Sequence, residues 1–186
     1  MIISSPQQLH AYQEVAKLST HILRQLYEAI APGVTPLEID QLAEKLLKKN
    51  EARSAFKGVG GPNNPFPYTT CISVNEVVVH GVPDRRQFRE GDVIKVDFGL
   101  IKNDLITDHC FTLGLAPLAS ADEKLIRAAR QAVAQAVRLV VVGNRVGDLG
   151  FAQESTVAKE GFNVATGFVG HGIGHIMHDE PQLPAI

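Results

Sequence analysis

The sequence predicts an α+β fold in which one order of elements is used twice. A long amphipathic helix, a turn and a shorter helix precede strand-rich runs in the first half, and a similar helix pair begins at Ser120. Two unrelated helix pairs in an ordinary α+β protein would give a similar pattern. The 186 residues are enough for one core, and we expect residues 1–186 to form a single domain.

Two helices are predicted at the start of the chain. Apolar residues recur at helical spacing from Leu9 to Ile30, and Pro32-Gly33 ends this pattern. Thr35-Pro36-Leu37-Glu38 has the pattern of a capping box with proline at the first helical position. A shorter helix should therefore continue from there through Leu47.

Strands are predicted in the middle of the chain. Residues 58–67 are dense in glycine, proline and asparagine, which indicates a loop. Runs rich in β-branched and apolar residues follow at 71–79, 93–101 and 105–115. We expect these three runs to be the strands of the first half.

The helix pair of the second half is predicted from its capping patterns and spacing. Ser120 to Glu123 resembles a capping box, and the apolar residues that follow predict a helix ending near Gly143. Asp148 is the expected cap of a shorter helix that runs to Gly161. Residues 51–116 follow the short helix of the first copy, whereas only 162–186 follow that of the second. The second half of the repeat is therefore expected to be incomplete.

Composition and charge exclude several classes of protein. Hydrophobic residues make up 45% of the chain, charged residues 20%, and the net charge is -2, so no polyanionic partner is expected. The N-terminus lacks the features of a secretory signal, and no apolar run approaches the roughly 20 residues of a membrane span. Two cysteines give no disulfide framework. We expect a cytoplasmic protein without nucleic-acid or membrane contacts.

Two aspartates occupy predicted neighbouring strands. Asp97 and Asp108 are joined through Lys102-Asn103-Asp104, which has the polar residues of a hairpin turn. A turn centred between Lys102 and Asn103 would place the two aspartates directly opposite each other, whereas a loop of odd length would leave them independent. Opposed like charges are destabilising. A shared proton, a basic partner or a divalent cation would have to neutralise them.

The segment GHGIGHIMHDEP, residues 170–181, concentrates three histidines: His171, His175 and His178. Their spacing suggests a zinc-protease helix, but Gly172 stands where that motif has glutamate. The glycines and Pro181 also disfavour a continuous helix. His80 ends an apolar run before a Gly-Val-Pro turn, where a residue at the end of a strand would project into a site.

Four segments together resemble a known family. They are CISVNEVVVHGVP (71–83), GDVIKVDFGLIKNDLITD (91–108), the helix start at 147–150, and GHGIGHIMHDEP (170–181). In these segments the chain resembles type I methionine aminopeptidases, which have the pita-bread metallopeptidase fold. That fold is an internal pseudo-two-fold repeat, in agreement with the pattern above. The resemblance implies that this chain lacks the C-terminal strands of the fold.

The resemblance implies a metal site and a reaction. Asp97, Asp108 and His171 would be ligands of two divalent ions, which would be cobalt, manganese, iron or zinc. The substrate would be a peptide or nascent protein that begins with methionine, and the ribosome is a candidate partner. His178 would hydrogen-bond the peptide carbonyl or its oxyanion, and His80 would lie near the scissile nitrogen.

The resemblance also suggests a pocket for the methionine side chain. Cys71 matches the family well, and Phe66 and Met177 match approximately. Soft apolar side chains would suit a thioether, although ordinary core packing explains them equally well. His109 and His175 are expected to be non-catalytic.

The chain departs from the family in one respect. The family has two further ligands, both glutamates, beyond the position where this chain ends. We therefore expect little or no peptidase activity from these 186 residues alone, and exposed core surface where strands are lacking. One alternative is a non-catalytic peptide- or ribosome-binding module of the same fold. Another is an X-Pro aminopeptidase or prolidase relative.

Overall fold

The computed structural model describes residues 1–185 and confirms the α+β class. Four helices and six strands follow in this order: α1 (Pro6–Ala29), α2 (Pro36–Lys49), β1 (Arg53–Ser54), β2 (Thr70–Val74), β3 (Val93–Lys102), β4 (Leu105–Gly114), α3 (Ser120–Arg138), α4 (Val146–Lys159), β5 (Val169–Gly172) and β6 (Asp179–Pro184). The chain divides into two compact units. The first contains residues 1–118 and 173–177, and the second contains 119–172 and the residues from 178 onward.

Both helices of the first unit begin at side-chain caps. The Ser5 side chain accepts a hydrogen bond from the Gln8 N–H at the start of α1. At the start of α2 the predicted capping box is confirmed. The Glu38 N–H donates to Thr35 Oγ1 (3.2 Å), and the Thr35 N–H donates to the Glu38 carboxylate (2.8 Å).

The first unit is built on an antiparallel sheet whose central strand is β3. Strands β1 and β2 pair with different parts of one side of β3, and β4 pairs with β3 along its length. Alternate side chains of β3 are completely buried: Ile94, Val96, Phe98 and Leu100. They join the core that α1 and α2 cover. The other face of β3 carries Asp97. The buried core therefore packs against the side of β3 opposite Asp97.

The turn between β3 and β4 places the two aspartates differently from the prediction. Asn103 and Asp104 form a two-residue turn with φ of 53° and 58°, as a type I′ turn requires. Asp97 therefore pairs with Cys110, and Asp108 pairs with Gly99. Direct opposition of the aspartates was wrong because the turn is centred one residue later. The resulting shift of two residues keeps both carboxylates on the same face.

Strand β2 is shorter than predicted. It ends at Val74, because Asn75 has a positive φ of 53° and leaves the extended conformation. Val77, Val78 and Val79 are consequently exposed instead of forming the end of a strand.

A buried carboxylate fixes the segment that follows β2. Asp92 accepts two hydrogen bonds from the Arg86 guanidinium (2.9 and 3.0 Å), one from the Asn75 side chain and one from the Arg89 N–H. The hydrogen bonds from Arg86 are the main reason why the pKa of Asp92 falls to about 2. Asp92 therefore joins the two ends of the segment that carries His80.

The second unit contains α3, α4 and the hairpin of β5 and β6. Ala119 is the N-cap of α3 and makes no side-chain cap bond, so the capping box predicted at Ser120 was wrong. Helix α3 ends at Arg138, earlier than predicted. Asp148 is not the cap of α4 but the third helical residue, where it accepts a hydrogen bond from the Arg145 N–H (2.7 Å).

Helix α3 buries only small residues and exposes larger ones. Ala128, Ala132 and Ala136 are buried, whereas Val133 and Val137 are 58% and 63% exposed. Val133 and Val137 therefore give α3 an exposed apolar surface. Within residues 1–185, no helix combines the length and apolar character that a membrane span requires.

Replacing Arg86 tests the Asp92 interaction. Because the folded pKa of Asp92 is lowered, its contribution to stability is present above the ordinary pKa of 3.8 and is lost as the pH falls towards 2. We expect Arg86→Gln to lower the free energy of unfolding at pH 7 by about 1 kcal/mol, since Arg86 is partly exposed. The deficit should shrink between pH 4 and 2 in urea denaturation. Arg89→Gln is the matched control, and an equal loss there would contradict the assignment.

The Thr107 hydroxyl provides a second stability test. Thr107 is completely buried in β4, and among the residues described its Oγ1 has no hydrogen-bond partner. Valine has nearly the same shape and removes this unsatisfied group, so Thr107→Val should stabilise the chain by about 1 kcal/mol. Thermal unfolding measures the change. Thr112→Val, on the opposite face of β4, should have a smaller effect, and a destabilised Thr107→Val variant would show that the hydroxyl is satisfied.

Candidate active site

Two carboxylates meet on the site face of β3 and β4. The Asp97 carboxyl is hydrogen-bonded to Asp108, and burial, followed by the charge of Asp108 and this hydrogen bond, raises the pKa of Asp97 well above its usual range. Gly99 lies opposite Asp108, and Phe56 packs against this glycine so closely that a Cβ at position 99 would be 2.8 Å from the Phe56 ring. A half-buried pair of carboxyl groups supplies the oxygen donors that a divalent cation requires. Within residues 1–185, no group of three or more His, Cys, Asp and Glu side chains is close enough to hold a metal ion.

The three residues predicted for the methionine pocket lie together. Phe66, Cys71 and Met177 belong to one apolar cluster with Ala55, Phe56, Ile101 and Ile106. Cys71 pairs with Asp97 across β2 and β3, so this cluster directly adjoins the carboxylates. Burial, with smaller effects from the charges of Asp97 and Asp108, raises the pKa of the Cys71 thiol to about 12. The thiol therefore stays neutral and serves as an apolar group.

Backbone hydrogen bonds fix the two outer residues of this cluster. Phe66 exchanges hydrogen bonds with the chain near Val59, donating to the Val59 carbonyl (2.7 Å) and accepting from the Gly58 N–H (2.8 Å). The segment that carries Met177 is tied to β4, because the Ile106 N–H donates to the Gly174 carbonyl (2.8 Å). Both side chains are thus held against the same face of the sheet.

His80 lies on a loop and not at the end of a strand. It is exposed and has a positive φ of 55°, which is uncommon for a residue other than glycine. The loop folds back onto β2, where the Ile72 N–H donates to the Gly81 carbonyl (2.8 Å). A Cβ at position 81 would lie 2.2 Å from the Ile72 carbonyl oxygen, so only glycine fits. This close approach places His80 beside β2.

His171 and His178 lie together in the second unit. Their ring centroids are 4.5 Å apart, with an angle of 57° between the planes. The His171 Nδ1 lies 2.9 Å from the Gly172 carbonyl, which can only accept a hydrogen bond, so Nδ1 carries the proton. In this tautomer Nε2 has the lone pair that a metal ligand requires. As expected, the histidine-rich segment is not a helix.

The two histidines expected to be non-catalytic have other partners. His109 lies on the opposite face of β4 from Asp108, and its Nδ1 is 3.0 Å from the hydroxyl of Ser19 in α1. The His175 ring donates to the Asp104 carbonyl (2.8 Å). Both histidines therefore connect structural elements.

Cys110 is a site residue that sequence reasoning did not select. It is exposed and pairs with Asp97 from the side opposite Cys71. The alternation of β4 was the available signal, since Cys110 follows Asp108 by two residues and must share its face.

Comparison with known proteins places this arrangement in a family. The chain matches the model of metallopeptidase family M24 over residues 10–185. It is 37% identical over 182 residues to a methionine aminopeptidase from Helicobacter pylori. The alignment covers 98% of this chain and 70% of that protein. A methionine aminopeptidase from Clostridium acetobutylicum is 36% identical over 185 residues, or 99% of this chain and 72% of the relative.

Solved structures of related proteins have the same fold. A methionine aminopeptidase from Thermotoga maritima superposes with a TM-score of 0.92 at 34% identity, covering 100% of this chain and 73% of that one. A prolidase from Pyrococcus furiosus gives a TM-score of 0.84 at 19% identity over 99% of this chain and 52% of its own, a similarity of fold alone.

The fold, the carboxylate pair and these similarities define the class of the protein, which is a hydrolase of the metallo-aminopeptidase type with the pita-bread fold. The chain belongs to metallopeptidase family M24. Membership of this family implies dependence on a divalent metal.

Removing one charge tests the carboxylate pair. Because the folded pKa of Asp97 is raised, its contribution to stability is present at low pH and is lost as the pH rises above the ordinary value of 3.8. In the metal-free chain at pH 7 to 8, Asp97→Asn should therefore raise the free energy of unfolding by roughly 1–3 kcal/mol. Urea denaturation between about pH 4 and pH 8 measures the change, because the difference should develop between the ordinary and the raised pKa of Asp97. Asp104→Asn in the turn is the control, and parallel pH profiles of wild type and Asp97→Asn would contradict the pairing.

Proposed function

We propose that this chain carries the active site for removal of the N-terminal methionine from peptides and nascent proteins. The observation that supports it most is the contact between the apolar cluster of Phe66, Cys71 and Met177 and the Asp97 carboxylate, through the pairing of Cys71 with Asp97. A thioether side chain held by this cluster would bring the first residue of a peptide next to the carboxylates. Relatives named methionine aminopeptidase support the same substrate.

We propose that Asp97, Asp108 and His171 are ligands of two divalent ions. Oxygen donors with one imidazole suit manganese, iron or cobalt, and zinc also fits. When bound, such ions lower the pKa of a coordinated water, polarise a peptide carbonyl and hold a free α-amine. The carboxylates supply negative charge, and the tautomer of His171 presents Nε2 as the ligand atom.

The remaining histidines are proposed to act on the substrate. His178 would donate a hydrogen bond to the peptide carbonyl and to the negative charge that develops there. His80, held beside β2 by Gly81, would deliver a proton to the leaving nitrogen. Both side chains are exposed and thus accessible to a peptide.

Two parts of the prediction from sequence are retained as proposals. Residence in the cytoplasm is supported by the two free cysteines, Cys71 and Cys110. Association with the ribosome would place the enzyme near its nascent substrates.

The proposed function is tested with a methionyl peptide and a divalent metal. Met-Ala-Ser should bind in the presence of Mn²⁺ more tightly than Ala-Pro-Ser in calorimetry, and any release of the first residue should require the metal. Met177→Asp puts a charge into the apolar cluster and should weaken binding of Met-Ala-Ser by roughly tenfold or more. Val142→Asp, at a fully exposed valine, is the matched control.

The other outcomes separate the alternatives. Preference for Ala-Pro-Ser would favour an X-Pro aminopeptidase or prolidase. Binding of Met-Ala-Ser without turnover at saturating metal would favour a non-catalytic peptide-binding module. Binding of neither peptide would overturn the proposal.

A further inference from the structure

We infer that Asp40 is a positioning residue for the substrate pocket, because it holds the chain between Phe66 and Cys71 in place. The role in the pocket rests on the function proposed above. The effect on the position of Cys71 does not, and it can be measured separately.

One oxygen atom of Asp40 accepts three hydrogen bonds. Oδ1 accepts from the Thr69 N–H (2.9 Å), the Thr70 N–H (2.8 Å) and the Thr70 hydroxyl (2.8 Å). All three residues are buried, with Asp40 only 5% exposed. Hydrogen bonds to a charged acceptor away from water are stronger than those between neutral groups.

The donors lie at the point where the chain enters β2. Thr70 is the first residue of that strand, and its partner in β3 is Phe98. Cys71 follows directly, and Phe66 lies four residues before Thr70. Asp40 itself is fixed on α2, whose first turn is held by the capping box and by the bond from the Leu37 N–H to the Asp84 carbonyl. The carboxylate therefore connects a rigid helix to the start of the strand that forms the pocket wall.

Loss of this connection has a specific consequence. Without the Asp40 carboxylate, two adjacent backbone N–H groups and a hydroxyl would be buried without their acceptor. Water would satisfy them most easily if the chain at Thr69 and Thr70 moved outward from α2. Cys71 would move with it and become accessible, whereas the rest of β3 and β4 would keep their pairing.

Cysteine alkylation measures this movement, and the chain has an internal reference. Cys71 is buried and Cys110 is exposed. In native buffer at fixed pH, iodoacetamide labelling followed by peptide mass spectrometry gives a separate rate for each thiol. We expect Asp40→Ala to increase the rate at Cys71 by roughly tenfold or more, because all three hydrogen bonds to Oδ1 are lost, and to leave Cys110 unchanged.

Further variants separate positioning from general stability. Asp40→Asn keeps an acceptor oxygen and should restore most of the protection. Thr70→Val removes one of the three bonds and should increase labelling of Cys71 by roughly threefold. Glu44→Ala removes a partly exposed carboxylate one turn further along α2 and should have no effect, because Glu44 pairs with Lys48 and Lys57 and not with Thr69 or Thr70. Val15→Ala, in the core under α1, lowers overall stability and should leave Cys71 protected while the chain is folded.

The outcomes decide the inference without reference to enzyme activity. Wild-type protection of Cys71 in a folded Asp40→Ala variant would overturn it, as would equal labelling in Val15→Ala. If Asp40→Ala does not fold, Thr70→Val decides, and unchanged labelling there would overturn the inference. A wild-type chain that binds no methionyl peptide would contradict the proposed function and leave the labelling result intact. Where Met-Ala-Ser binds, Thr70→Val should weaken its affinity more than Glu44→Ala does.

Discussion

The first unit depends on how two neighbouring carboxyl groups are accommodated on one face of a hairpin. Asp97 and Asp108 share that face, and burial together with the second carboxyl raises the pKa of Asp97. When both groups are ionised, their like charges destabilise the pairing of β3 with β4, so other interactions must hold the strands in register. The pairing of β3 with β4 over the full length of both strands, and the completely buried row behind Asp97, supply that restraint.

Magnitudes explain why the arrangement is tolerated. Each fully buried side chain of the β3 row stabilises the fold by about 1.5–3 kcal/mol, and the row has four such residues. A bound cation would attract both carboxylates and so remove the repulsion between them. Asp40 and Asp92 are stabilised differently, by hydrogen bonds from neighbouring backbone and side-chain groups. On the site face, by contrast, the carboxyl groups of Asp97 and Asp108 interact with each other.

Sequence patterns between neighbouring residues predicted much of the fold. The errors in strand register and strand length are explained by backbone conformations at a few residues. Helical spacing and capping patterns predicted the four helices, and the capping box at Thr35 was correct because both of its bonds are local. The register of β3 and β4 was wrong because Asn103 and Asp104 adopt positive φ together, which composition alone does not reveal. Asn75 shortened β2 for the same reason. The prediction of a single domain remains a prediction.

The histidines show why site residues are harder to predict than elements. Residue type and spacing did not distinguish the three clustered histidines. His175, however, donates to the carbonyl of Asp104, far away in sequence, whereas the rings of His171 and His178 lie 4.5 Å apart and are tilted by 57°. Neither partner follows from periodicity, because each depends on how a glycine-rich segment approaches a strand. Gly172 lies so close to Glu180 that a Cβ there would be 2.3 Å from its carbonyl oxygen. The glycines of this segment thus determine which imidazole rings lie next to each other. These rings belong to His171 and His178, the two histidines that the family resemblance assigns to the site.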